Sequence, residues 1–218
     1  MDPIARATVL DFHRHRIGVF GAGSVESLGW RNAASQQRRF DVIADACDFS
    51  GASVLDVGCG RGDVKAFLDA RVDHFSYLGL EHVPVFVEEA RRKYADHPRT
   101  HFVQCDFSAV ALPAADFVVA SGALGYRCPD PTFHLTMIRR MFDAASQTLV
   151  FNLLDATAFP EHSLLVGRDR EEVLAFCRSL SPLVDVIDGY LADDFTVCVR
   201  RTPAGTRPGA MHTLERSR

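Results

Sequence analysis

The residues best placed to do chemistry lie where an apolar run breaks into glycines: Val54-Leu55-Asp56-Val57-Gly58-Cys59-Gly60-Arg61-Gly62-Asp63. Glycine lets the chain turn sharply and lets backbone N–H groups approach a ligand closely. A strand pattern precedes this turn and a helix pattern follows it, the context of a nucleotide-type binding loop. A glycine turn alone serves NAD, FAD or S-adenosylmethionine (SAM) equally well.

Two carboxylates further along narrow the choice. Glu81 closes Tyr77-Leu78-Gly79-Leu80-Glu81, roughly 20 residues past the glycines, where an acid can accept both ribose hydroxyls. That fits NAD and SAM alike. Asp106, in Val103-Gln104-Cys105-Asp106-Phe107, follows the third strand pattern and can accept from an adenine amine, with Phe107 as an apolar edge. Asp56 separates the ligands. A dinucleotide would bring its pyrophosphate to this turn, and a carboxylate there would repel it. SAM carries a sulfonium and an ammonium and no phosphate, so the charges favour SAM.

These groups need a scaffold to hold them. Strand-like runs read Ser53–Val57, Phe75–Leu80, His101–Cys105, Phe117–Ala120, Thr148–Asn152, Leu183–Ile187 and Phe195–Arg200. Helical patterns lie between them at Asp63–Ala70, Val83–Tyr94, Thr132–Asp143 and Asp169–Leu180. The alternation predicts an α/β, doubly wound sheet with right-handed crossovers. The linker Asp188–Asp194 is too short for a crossover helix, so the last two strands form an antiparallel hairpin. Ahead of the first strand, helices are expected at Pro3–His15 and Ala33–Cys47, with a Gly- and Ser-rich loop over Gly18–Trp30. The expected division is an N-terminal helical lead-in over 1–50, a ligand-binding domain over 51–201, and a flexible tail over 202–218 rich in Pro, Gly and Arg.

Composition bounds the partners. The 218 residues are 47% hydrophobic and 24% charged, with a net charge of −4, which argues against nucleic acid as a partner. The six cysteines show no CxxC pair, which fits a reducing, cytoplasmic setting without structural zinc. No apolar run approaches the ~20 residues of a membrane span, and charged residues Asp2, Arg6 and Asp11 interrupt any signal-peptide core. His13 and His15 stand two apart and cannot share a helix face, so no metal site is expected.

The ten-residue glycine segment, Leu78-Gly79-Leu80-Glu81-His82, Gln104-Cys105-Asp106-Phe107 and Ala115–Ala123 resemble the motifs of class I, Rossmann-like SAM-dependent methyltransferases. The resemblance runs from about Phe40 to Arg201. It implies a seven-stranded sheet of order 3-2-1-4-5-7-6 with strand 7 antiparallel. It places Asp56, Gly58 and Gly60 at the methionine part of SAM, Glu81 at the ribose, Asp106 with Phe107 at the adenine, and Ser121 beside the methyl group. Cys59 and His82, in the same turns, complete the expected cofactor set. A lead-in helix in some bacterial members is similar to Leu28–Phe40. By that similarity Arg39 pairs with the SAM carboxylate and Trp30 walls the substrate pocket.

Methyl transfer chiefly requires nucleophile and methyl at near-attack distance with water removed. A base is needed only when the acceptor must lose a proton. Tyr126 and His134 are the catalytic candidates, although His134 inside a helix pattern also fits a solvent-exposed side chain. Tyr126, Asn152 and Asp155, at the ends of strands four and five, are expected to line the substrate pocket with Trp30. Ala156–Gly167 is long for a connection and is expected to act as a lid. Where relatives that methylate adenine or glutamine carry an Asn/Asp-Pro-Pro-Tyr-type motif, this chain reads Ser121-Gly122-Ala123-Leu124-Gly125-Tyr126. That departure points to methylation of O or N on a small molecule. An RNA or protein methyltransferase, an inactive SAM-fold module and a nucleotide-dependent oxidoreductase are the competing readings. A second copy of the chain is admitted as a partner.

Overall fold

A computed structural model describes residues 1–202. The tail expected at 202–218 lies, from residue 203 on, outside the described residues. The chain runs α1 (Pro3–Phe20), α2 (Ala33–Ala46), β1 (Ser53–Val57), α3 (Asp63–Asp69), β2 (Ser76–Glu81), α4 (Pro84–Lys93) and β3 (Thr100–Gln104). It continues as β4 (Ala115–Ala120), α5 (Phe133–Ala144), β5 (Ala145–Leu154), α6 (Arg170–Leu180), β6 (Val184–Ile187) and β7 (Asp194–Arg200). A short 3₁₀ turn, Glu26–Leu28, joins α1 to α2.

The seven strands form one sheet of order β3-β2-β1-β4-β5-β7-β6. The first five pair in parallel and β7 runs antiparallel to both neighbours, β5 and β6. The fold expected from the alternation and the terminal hairpin is the fold observed. Successive residues in the central strands serve opposite faces. Leu55, Val57, Val118, Ala120, Leu149 and Phe151 pack in one core cluster. Val54, Phe117, Val119 and Val150 pack in the other. Strands buried on both faces explain the nearly continuous apolar runs. They also fix the register, because a slip of one residue would exchange the two faces.

The lead-in departs from expectation. Helix α1 continues through Gly18 to Phe20 and ends at Gly21, whose φ of +79° suits glycine. One glycine in a helix costs only about 1 kcal/mol. The Arg16 guanidinium lies over the rings of both Phe12 and Phe20 and holds the last turn together. At the other end Asp2 caps the helix, accepting from the N–H groups of Ile4 and Ala5. Asn32 caps α2 by accepting from Ser35 N–H at 2.8 Å. Among the described residues no helix is long and apolar enough to cross a membrane, and all six cysteines are free thiols.

Candidate active site

The carboxyl ends of β1, β2, β4 and β5 open on a cavity of about 390 Å³, roofed by α1 and by the segment between α1 and α2. Ligands collect at this edge of an open α/β sheet. Gly58 and Gly60 turn the chain with φ of +79° and +55°. The N–H groups of Gly58 and Cys59 donate to the Leu80 carbonyl at 2.8 and 3.1 Å, tying the turn to β2. A Cβ on Gly58 would stand 2.5 Å from the Ala123 Cβ, so the turn passes the β4 loop at a distance only glycine allows.

Glu81 ties the same two strands together. Its Oε2 accepts from Gly60 N–H at 3.0 Å, and its Oε1 accepts from His82 and Val83 N–H at 2.7 and 2.8 Å. The carboxylate therefore braces the glycine turn as well as facing the cavity.

Asp56 is almost fully buried at the end of β1. Its Oδ2 accepts from the Tyr77 hydroxyl, while its Oδ1 is buried without a hydrogen-bond partner. A buried carboxylate with an idle oxygen is costly unless a cation or donor meets it. Burial pushes its pKa up to about 7, the Tyr77 hydroxyl opposes this, and the Glu81 and Asp63 carboxylates add to it. Across the cavity the Ser121 hydroxyl is also buried without a partner. Cys59, His82 and Phe107 line the same space, with the His82 and Phe107 rings 5.5 Å apart.

Trp30 lies against Gly122, where an added Cβ would meet the indole at 2.7 Å, and so walls the cavity beside Ser121. Arg39 lines the cavity too, but its charge is engaged. Its Nε and Nη2 donate to Asp194 Oδ2 at 2.9 and 2.7 Å, its Nη1 donates to the Ser35 carbonyl at 3.0 Å, and its guanidinium stacks on Trp30. The carboxylate expected for Arg39 from a ligand is thus supplied by the protein. Asn152 extends this network, donating to Asp194 at 3.2 Å and accepting from Gly122 N–H at 3.0 Å.

Three expected site residues stand apart from the cavity lining. Asp106 pairs with Arg6 of α1 at 3.0 Å and accepts from Ser108, so a helix not foreseen as a neighbour engages the carboxylate expected for adenine. Asp155, expected in the substrate pocket, pairs with Arg170 at 2.7 Å and caps Thr157, fastening the loop ahead of α6. His134 is neither exposed nor at the cavity. It faces inward from α5, with both ring nitrogens buried and unpartnered. Burial and the Arg168 cation push its pKa down to about 4, so it stays neutral and away from any reacting group. Tyr126, the other catalytic candidate, lines the cavity.

Sequence reasoning missed His13. Ala5, Val9 and His13 are the buried residues of α1, one per turn, and that spacing was the available signal. His13 lines the cavity, and its Nε2 stands 2.7 Å from the Tyr126 hydroxyl. It also missed Asp194, whose partners Arg39 and Asn152 come from two remote segments.

This sheet order, with a glycine turn after β1 and an acid closing β2, defines the class I, Rossmann-like architecture. Residues 54–147 match the family model described as a methyltransferase domain, and the sheet that carries them has the fold of the class I methyltransferases. A trans-aconitate 2-methyltransferase of Methylobacterium radiotolerans is 32% identical over 115 residues, which span 51% of this chain and 41% of that protein. The chain thus spans less than half the length of the curated relatives it matches first. Among solved structures, magnesium protoporphyrin IX methyltransferase from Synechocystis with bound SAH superposes with a TM-score of 0.60 at 16% identity, covering 78% of this chain and 84% of that one. The DhpI–SAH complex gives 0.64 at 16% identity, covering 89% and 95%.

Proposed function

We propose that the chain transfers the methyl group of SAM to an oxygen or nitrogen of a small molecule in the cytoplasm. The observation that carries this is the idle, buried Oδ1 of Asp56 beside a glycine turn. It calls for a cation or a hydrogen-bond donor, and as a carboxylate it repels a phosphate. When bound, SAM supplies a methyl carbon already activated by its sulfonium. The residues present fit such a ligand. Asp56 would meet the ammonium, Glu81 the ribose hydroxyls, His82 and Phe107 the adenine, and the backbone at Gly58 and Gly60 would close around the methionine part. Ser121, Trp30, Tyr126 and Asn152 would shape the acceptor side. Their work is to orient the acceptor and exclude water.

A cavity of about 390 Å³ supports a small-molecule acceptor over a base kept stacked in an RNA helix. The relative named for trans-aconitate favours the same class. A scaffold without catalysis would be favoured by a filled space beside Ser121. Instead Ser121 faces the cavity.

The Asp56 reading has a pH signature. The folded chain without ligand holds the Asp56 proton up to about pH 7, while binding an ammonium requires the carboxylate. Binding therefore releases a proton below pH 7, and affinity for S-adenosylhomocysteine (SAH) falls by up to about tenfold per unit as pH drops from 7 towards 5. Tyr77→Phe removes the hydroxyl that favours the charged form, so the midpoint moves to higher pH. Calorimetric titration across this range in two buffers of different ionisation enthalpy measures both effects. An affinity independent of pH between about 5 and 7 would contradict the role given to Asp56.

A further inference from the structure

We infer that His13 and Tyr126 form a proton relay facing the acceptor, and that the acceptor is a hydroxyl carried on an apolar, aromatic frame; this rests on the methyl-transfer reading above. The direction of the relay follows from its far end. His13 Nδ1 lies 2.9 Å from the Ser27 carbonyl oxygen, which can only accept, so Nδ1 carries a hydrogen. Burial then lowers the pKa of His13, the Ser27 carbonyl and the Glu81 carboxylate oppose it, and the His82 and Arg16 side chains lower it further. With the ring neutral, Nε2 holds a lone pair and accepts the Tyr126 hydroxyl hydrogen at 2.7 Å.

That arrangement fixes what Tyr126 can do. Its hydrogen is committed to His13, so its oxygen is left to accept a hydrogen from a group in the cavity that both side chains line. The phenol alone is a poor base, because burial pushes its own ionisation well upward. Coupled to His13 it need never become a phenolate. The acceptor's O–H proton moves to Tyr126 Oη as the Tyr126 proton moves to His13 Nε2. The acceptor oxygen forms the new C–O bond as the C–S bond breaks with its electron pair going to sulfur. The products are a methyl ether, a thioether and a His13 imidazolium, which returns its proton to water after release.

Four groups from packed elements bear on His13: Arg16 of α1, Glu81 and His82 at the end of β2, and Tyr126 after β4. Phe12 and Phe86 meet the His13 ring edge-on at 5.1 and 5.4 Å and keep water from it. Leu165 pairs with Tyr126 through an isolated backbone bridge, and Phe159, Leu154 and Trp30 line the same cavity, with His162 the polar ring beside Phe159. An apolar, aromatic frame matches that lining, and a relay is needed only for an acceptor that must lose a proton.

The test uses SAH binding, side-chain nitrogen NMR of the histidines, and transfer from SAM to two probes, phenol and 4-nitrophenol, at pH 7.5–8. The wild-type protein should show His13, assigned by its loss in His13→Gln, as the neutral Nδ1–H form at neutral pH. Tyr126→Phe and His13→Gln should bind SAH as the wild type does. Each should lose about 100-fold in kcat with phenol and change little with 4-nitrophenol, which is already largely ionised. Equal losses with both phenols, weakened SAH binding in the variants, or an Nε2–H or charged His13 would overturn the relay and leave the pair as a strut for α1. Wild-type SAH binding without methylation of either phenol would overturn the acceptor class. Absence of SAH binding by the wild type would overturn the methyl-transfer reading itself, and the proposal with it.

Discussion

Replacing Arg39 with alanine will destabilise the fold by about 3–5 kcal/mol, the loss expected when one partner of a buried ion pair is removed. Asp194 has no solvent-exposed side-chain surface, and among the described residues Arg39 is the one cation paired with it. The remaining partners, Asn152 and the Tyr190 hydroxyl, donate hydrogen bonds but bring no charge. Burial already raises the Asp194 pKa, with Arg39 the largest opposing influence. The folded chain therefore holds this proton to higher pH than the unfolded chain does. Stability is lost as pH rises above the ordinary carboxyl value of about 4 and regained as pH falls. In Arg39→Ala that slope steepens. Urea denaturation at several pH values measures it. Arg39→Ala/Asp194→Asn should recover much of the loss, since no buried charge remains. A double variant as unstable as the single one would mean that Trp30 stacking, rather than the ion pair, is what Arg39 supplies.

The second large effect belongs to the glycine turn. Gly58→Ala combines a φ of +79° with a Cβ 2.5 Å from Ala123. The left-handed backbone alone costs an L-residue roughly 1–2 kcal/mol, and relieving the clash must move the turn or the β4 loop. The N–H groups that reach Leu80 and Glu81 move with it. We expect SAH affinity to fall about 100-fold, the scale on which a displacement near 1 Å acts in a preorganised site. Gly58→Ala/Ala123→Gly removes the clash and leaves the strain, so it should recover part of the affinity. Unchanged affinity in Gly58→Ala would show that the turn does not contact the ligand.

Both predictions rest on features that differ in how far the sequence discloses them. The glycine turn is local. Its residues are contiguous, and the strand pattern before them and helix pattern after them say where it points. The sheet order is legible for the same reason, since β-α-β alternation and one short linker leave few topologies. The Arg39–Asp194 pair joins α2 to the start of β7, and the intervening chain gives no signal that they meet. The same holds for Asp106, which lies at the expected end of β3 yet pairs with Arg6 because α1 docks across it. His134 shows the opposite error. Its helix was placed correctly, but it stands one turn from Ile138 on the buried face, and periodicity among mixed residues left its direction open. His13 was legible in principle, by its spacing from Ala5 and Val9, but its partner Tyr126 lies across the molecule.

Calorimetric titration of the chain with SAM, SAH and NAD tests the central claim most directly. Asp56, with a buried oxygen awaiting a cation and no tolerance for phosphate, predicts micromolar binding of both sulfur ligands and none of NAD. Binding of NAD, with neither SAM nor SAH bound below millimolar concentration, would contradict it.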